Sequence, residues 1–267
     1  MLVIKYGGST IRTDGSPDPV IGDIIELHKK GLQPVVVHGG GKAMSSLLEQ
    51  LGHRSQFLDG YRVTDDVTLK VAAMVLGGDM NKRLVAAFQA AGSAAVGITG
   101  VDGGLLTVQK KHHSGGDLGF VGEVEAVNVT LIHALVAAGF IPVIAPLGVD
   151  AQGQIYNINA DSAAGAIAGA LEAEKLYLLT DVPGILHETE AGRELLPGAT
   201  PALIADLIAD GTISGGMIPK VEACLEALRH GAAHVHIIDG NDPHALLHEA
   251  LDGRGGGTII RGGELAR

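Results

Sequence analysis

The chain has 267 residues, 46% hydrophobic and 18% charged, a balance that excludes a disordered chain and specifies a globule with a substantial core. Thirty Asp and Glu against nineteen Lys and Arg leave a net charge of -11 with no basic run, which argues against a nucleic-acid partner. The single cysteine, Cys224, excludes an intrachain disulfide, and no eighteen apolar residues run unbroken, so a cytoplasmic protein with no membrane partner is expected.

In chain order, short apolar runs alternate with helical patterns. Residues 2–6, 35–38, 94–98, 141–145, 176–180 and 235–238 predict strands buried on both faces. Between them, 20–30, 43–51, 67–91, 130–138, 162–171, 201–209, 216–230 and 243–251 predict helices. This alternation implies crossovers, and so an α/β fold: a three-layer α/β/α sandwich around a mostly parallel sheet. Residues 57–63 and 105–127 break the alternation and predict β-hairpins laid over the sheet, with a third at 150–156. No Pro- or Ser-rich linker occurs, so two lobes, 1–181 and 182–267, would share one continuous sheet.

Glycine contributes 40 of the 267 residues, about twice the usual share, and its positions are informative. The first strand ends in Lys5-Tyr6-Gly7-Gly8, and the second in His38-Gly39-Gly40-Gly41 before a helix. In an open α/β sheet the ligand crevice lies beyond the carboxyl ends of the strands, where glycine lets backbone amides converge on an anion. Neither turn is G-x-x-x-x-G-K-[ST] or G-x-G-x-x-G, which argues against a P-loop and against a dinucleotide oxidoreductase. Lys5, inside an apolar strand, requires a partner at the strand end. Arg62 follows the first hairpin with a guanidinium suited to a carboxylate. In Asn157-Ile158-Asn159-Ala160-Asp161 two amides and a carboxylate exceed what capping one helix requires: Asp161 could hold lysines and Asn157 an acidic ligand. Thr180-Asp181-Val182-Pro183-Gly184-Ile185 follows a buried strand where adenine and ribose could lie. Gly215-Gly216-Met217-Ile218-Pro219-Lys220 opens a helix whose early amides could face phosphates. Twelve histidines show no His-x-x-x-His with a carboxylate, so no protein metal site is expected.

Together with Tyr61-Arg62-Val63-Thr64, Asn81-Lys82, Asp117-Leu118-Gly119 and Val121-Gly122-Glu123-Val124, these motifs resemble the acetylglutamate kinases of the amino-acid kinase superfamily over nearly the whole chain. The resemblance implies an N-terminal amino-acid lobe, a C-terminal nucleotide lobe, and transfer of phosphoryl from MgATP to the side-chain carboxylate of N-acetyl-L-glutamate in arginine biosynthesis. It gives Lys5 and Lys220 the transferring phosphoryl, Asp161 the task of organising both lysines, and Gly40, Gly41, Arg62 and Asn157 the acid. It gives the nucleotide Gly7, Gly8, Asp181, Val182, Pro183, Gly184, Ile185, Leu186, Thr212, Ile213 and Ser214, with Mg2+ carried on the phosphates. A side-chain carboxylate is already ionised at neutral pH, so no general base is needed. Rival readings are a sister kinase for carrier-linked aminoadipate, carbamate or aspartate, and a non-catalytic sensing module. Arginine-inhibited members carry an N-terminal helix that links dimers into a ring of six; here the first strand starts at Leu2, which favours a homodimer. The stretch from His236 to Thr258 resembles the segment near their arginine site, with Asn241 where arginine is usual, so arginine stands as a candidate effector.

Overall fold

A computed structural model describes residues 1–7, 11, 18–189 and 192–262. The chain opens with β1 (Leu2–Tyr6), α1 (Pro19–Lys29), β2 (Pro34–His38), α2 (Gly41–Gln50), the hairpin strands β3 (Phe57–Leu58) and β4 (Tyr61–Arg62), and α3 (Asp66–Ala72). A π-helical stretch, Ala73–Met80, then runs into α4 (Asn81–Ala90), followed by β5 (Ala95–Thr99), β6 (Leu106–Lys110), β7 (Val121–Val127), α5 (Thr130–Ala137), β8 (Ile141–Ala145), β9 (Leu147–Val149) and β10 (Ile155–Ile158). The remainder comprises α6 (Ala160–Ala170), β11 (Lys175–Thr180), β12 (Leu186–Thr189), β13 (Gly192–Leu195), β14 (Gly198–Ala199), α7 (Pro201–Ala209), α8 (Met217–Arg229), β15 (His234–Asp239), α9 (Ala245–Asp252) and β16 (Thr258–Arg261).

Eight strands form the central sheet in the order β14-β16-β15-β11-β1-β2-β8-β5, parallel except where β16 runs against β15. The strands are apolar on both faces because both faces are covered, and their alternation assigns side chains to layers. On β1, Leu2, Ile4 and Tyr6 join α1, α4 and α9, whereas Val3 faces the opposite layer built on α6 and α8. Lys5 therefore points to the α6 side and His38, out of phase with Val35 and Val37 on β2, to the α4 side. Strands β6, β7, β9 and β10 close into a small barrel beside the sheet.

The three-layer α/β/α arrangement agrees with the sequence reading, and all three expected hairpins are present, the third as β9 and β10. Two differences have local causes. The helix expected over 67–91 is interrupted by the π-helical stretch, which contains Gly77-Gly78, residues without side chains to hold the α spacing. Strands β12, β13, β14 and β16 lay outside the expected set because they are short and interspersed with Gly and Pro.

Candidate active site

Lys5 is carried by β1 to the carboxyl edge of the sheet with only 7% of its surface exposed. Its Nζ lies 2.8 Å from Asp161 Oδ1, while Lys220 Nζ lies 3.2 Å from Asp161 Oδ2. Asp161 is in the first turn of α6, where Asn159 is the cap: its Oδ1 accepts from Asp161 N at 2.8 Å and Ser162 N at 3.2 Å. Burial would raise the Asp161 carboxyl, but the charges of Lys5 and then Lys220 outweigh it and hold the group below the usual carboxylate range. One buried carboxylate thus bridges two ammonium groups 215 residues apart in sequence, as 220 minus 5 gives.

The α6–α8 approach that makes this possible depends on glycine. A Cβ on Gly165 would lie 2.7 Å from Ala223 O, and one on Gly169 would lie 2.4 Å from His230 Cβ. Small residues at this crossing let the helix backbones approach, bringing Lys220 to Asp161.

Lys5, Gly40, Gly41, Arg62, Asn157 and Asp161 all line one cavity of about 320 Å³. A depression of about 540 Å³ at the tip of the β6–β7 hairpin is larger, but it is lined by residues between Lys110 and Asp117 and contains none of the expected site residues. Arg62 is held rigidly: one terminal nitrogen donates to Ser55 Oγ at 2.6 Å, and the other to Gly41 O at 2.9 Å and Ser45 Oγ at 2.8 Å. Its guanidinium stacks over Phe57 at 4.6 Å, and burial lowers its pKa. Asn157 donates to Thr64 Oγ1 at 3.2 Å, and Thr64 Oγ1 donates to Arg62 O at 2.9 Å. Thr64 is fully buried, and its backbone exchanges hydrogen bonds with Leu118 and Phe120. The turn Leu118-Gly119-Phe120 fits because Gly119 adopts φ +69°, and a Cβ there would lie 2.2 Å from Thr64 O.

The expected nucleotide segments lie elsewhere. Gly7 is at the buried end of β1, and Gly8 falls outside the described residues. The stretch from Asp181 to Leu186 leaves the carboxyl end of β11, with Asp181 and Pro183 exposed and Ile185 in the core. Ile185 N donates to Thr258 Oγ1 at 2.9 Å. Thr212 and Ser214 flank Ile213, which is buried in the same core cluster as Ile185. Ile185 and Ile213 are therefore placed to fix backbone, with their side chains turned inward.

The cap expected in the stretch 157–161 is Asn159, and three contributors went unrecognised in their roles: Ser45 and Ser55, which hold Arg62, and Thr64, which joins Arg62 to Asn157. Small polar residues beside motif residues were the only available signal.

Residues 1–239 match the profile of the amino acid kinase family. The acetylglutamate kinase of Heliobacterium modesticaldum is 46% identical over 268 residues, covering 97% of this chain and 91% of that protein. The chain belongs to the acetylglutamate kinases of the amino acid kinase family. A second relative with that name, from Acidiphilium cryptum, is 48% identical over 269 residues, covering 97% of this chain and 89% of its own. Among solved structures, an N-acetylglutamate synthase from Neisseria gonorrhoeae complexed with coenzyme A and N-acetyl-glutamate matches with a TM-score of 0.85 at 26% identity. The match covers 99% of this chain, which spans 60% of the length of that synthase. A carbamate kinase from Giardia lamblia bound to AMP-PNP, 18% identical with a TM-score of 0.69 and 98% of both chains covered, shares the fold.

Proposed function

We propose that this chain transfers the γ-phosphoryl group of ATP to the side-chain carboxylate of N-acetyl-L-glutamate, giving N-acetyl-L-glutamyl 5-phosphate in arginine biosynthesis. The observation that carries the reading is the Lys5–Asp161–Lys220 bridge opening on the cavity that Arg62 and Asn157 line. A carboxylate oxygen forms the new bond to phosphorus as the bond to the β,γ-bridging oxygen breaks, and ADP leaves with that electron pair. Neither step needs a proton removed from the acceptor. Lys5 and Lys220 neutralise charge on the transferring oxygens while Asp161 keeps both ammonium groups aimed, and the Gly40 and Gly41 amides add donors at the start of α2. Arg62 and Asn157 hold the rest of the acid.

The nucleotide is assigned to Gly7 and Gly8, to Asp181, Val182, Pro183, Gly184, Ile185 and Leu186, and to Thr212, Ile213 and Ser214, in a lobe beginning near 182. Gly7 follows the carboxyl end of β1 and Asp181 that of its parallel neighbour β11, which supports that placement, while Thr212 to Ser214 lead into α8. Among the residues lining the cavity Asp161 is the one carboxylate, and both its oxygens face lysines, so Mg2+ fits as an ion carried on phosphate and water oxygens. Bound there, it would neutralise phosphate charge. The test is ADP release from MgATP with N-acetyl-L-glutamate, aspartate, carbamate and carrier-linked aminoadipate as acceptors. Turnover is expected with the first, and equal turnover with another would overturn the substrate assignment.

A homodimer and arginine as an effector complete the proposal, with the cytoplasm as its setting. Strand β5 is a sheet edge of half-buried residues, which favours covering by a second copy. Tyr177 Oη, His234 Nδ1 and His236 Nε2 are buried without partners among the described residues, beside Glu249, which lies 3.0 Å from His236 Nδ1. Such a cluster suits a small polar ligand. Molecular mass by size-exclusion light scattering, with and without arginine, and inhibition of turnover by arginine test both points. A monomer would overturn the first, and unchanged turnover at millimolar arginine the second.

A further inference from the structure

The buried histidine at the end of β2 has no place in the chemistry above, yet it sits directly before the glycine turn. His38 is 0% exposed and, by the alternation of β2, lies on the α4 face of the sheet, opposite the face that Lys5 uses. Its Nδ1 is 3.0 Å from Gly39 O and its Nε2 is 3.2 Å from Asn81 Nδ2. The first contact sets the tautomer, because Gly39 O can only accept and Nδ1 must therefore donate. Asn81 Nδ2 also faces the carbonyl oxygens of Val143 at 3.0 Å and Ile98 at 3.3 Å, and Asn81 Oδ1 accepts from Lys82 Nζ at 3.0 Å. The nitrogen of that amide is thereby assigned as a donor that shares its two hydrogens among these acceptors, in keeping with a bare, accepting His38 Nε2 and a proton on Nδ1.

The site is built for this arrangement. Asn81 is fully buried at the junction of the π-helical stretch with α4, and a Cβ on Gly97 would lie 1.9 Å from Asn81 Oδ1, so residue 97 must lack a side chain for Asn81 to reach the strands. Lys82 completes the cluster by donating to Gly97 O at 2.9 Å. The amide thus ties together β2, β8 and β5.

We propose that His38 and Asn81 are positioning residues that aim the Gly40 N–H into the reaction site. The peptide between Gly39 and Gly40 is trans and planar, so its C=O and N–H point in opposite directions. Nδ1–H of His38 draws Gly39 O toward the α4 face, and the Gly40 N–H is turned toward the cavity that Gly40 lines. No acceptor among the described residues meets that N–H. Asn81 acts one step back, because its donation to Nε2 keeps the proton on Nδ1. The cluster thus orients an anion-binding amide without touching substrate. This role rests on the kinase reading above.

Two substitutions separate the two ring nitrogens. The side-chain amide of His38→Asn occupies the Nδ1 position and can still donate to Gly39 O, whereas that of His38→Gln reaches the Nε2 position and meets only Asn81. The expected result is a loss of about tenfold or more in kcat/KM for N-acetyl-L-glutamate with His38→Gln. KM for ATP should stay within about threefold, and His38→Asn should restore most of the loss. Equal losses in both variants, or wild-type turnover in His38→Gln, would overturn the proposal. A wild-type protein that releases no ADP from MgATP with this acid would instead sink the kinase reading, and the positioning role with it. Should His38→Gln not fold, the 15N spectrum of the wild-type histidine side chains decides independently of turnover: His38 should show its proton on Nδ1, and a proton on Nε2 would overturn the geometry.

Discussion

At the scale of single residues, the site is organised by one carboxylate shared between two cations. Replacing Lys220 with Ala should leave ATP affinity within about tenfold and lower kcat on the order of 10²-fold, because the ammonium matters most as charge develops in transfer. Unchanged kcat in steady-state assays would remove Lys220 from the chemistry. His38 gives a second prediction at this scale. Burial, aided by the charge of Lys82, lowers its pKa from 6.5 to about 4. Between those values the unfolded chain binds a proton that the folded protein does not, so stability should fall as pH drops from about 6.5 to 4. The His38 share is about 3 kcal/mol at the conversion of about 1.4 kcal/mol per unit. In urea titrations across this window His38→Asn, which cannot titrate, should show a shallower acid loss than the wild type; identical slopes would contradict it. His236, lowered to about 3 by burial, adds a similar slope that persists in the variant.

The elements show how such residues are brought together. Gly165 admits α8 to within backbone contact of α6, so Gly165→Ala must push Ala223 O away from a Cβ at 2.7 Å. Stability should fall by about 1–3 kcal/mol, and kcat should fall as well, because Lys220 and Asp161 ride on the two separated helices. A variant less stable but fully active would show that the helix spacing does not set the lysine bridge. On the proposed substrate side, the hairpin β3–β4 and the turn at Gly119 converge on Thr64, whose hydroxyl links Arg62 O to Asn157. Thr64→Val keeps the shape and removes the hydroxyl. Both hydrogen bonds of the hydroxyl are then lost, and the one that holds Asn157, worth about 1 kcal/mol, should by itself raise KM for N-acetyl-L-glutamate about fivefold, with KM for ATP unchanged and Thr64→Ser restoring the value. Equal rises in both KM values would assign Thr64 a general packing role.

The individual strands and most helices were legible in the sequence because buried parallel strands are uniformly apolar and the helices between them keep a helical period. Even the lysine in β1 was legible as a charge in need of a partner. The π-helical stretch, the four-stranded barrel and the short strands β12, β13, β14 and β16 were not, since their shapes depend on what packs against them. The same limit applied to the site. Glycine turns, Arg62, Asn157 and Asp161 stood out by type and spacing, whereas Ser45, Ser55, Thr64 and Asn81 carry no chemistry until a distant segment folds onto them.

At the scale of the molecule, the central sheet crosses both proposed lobes without a break, with β11 of the first paired in parallel to β15 of the second. Unfolding in urea should therefore be a single transition, with the fluorescence of the four tyrosines, all in the first lobe, coinciding with circular dichroism, which reports both lobes. Separate midpoints would mean that the lobes fold independently. Saturation with acid and a non-hydrolysable ATP analogue should raise the unfolding free energy, by about 2.7 kcal/mol for a ligand at a hundredfold its Kd, and with it the midpoint.

The sequence by itself determined the layering, the glycine turns at the strand ends proposed to hold ligand, and the family, because these follow from periodicity, from glycine where backbone could approach an anion, and from motif order. Only the tertiary structure decided that one carboxylate bridges Lys5 and Lys220, that Thr64 ties Arg62 to Asn157, and that His38 can aim a backbone amide. Those depend on distances of 2.8 to 3.3 Å between residues tens to hundreds of positions apart, and helix and sheet packing sets such distances without leaving a local trace in the sequence.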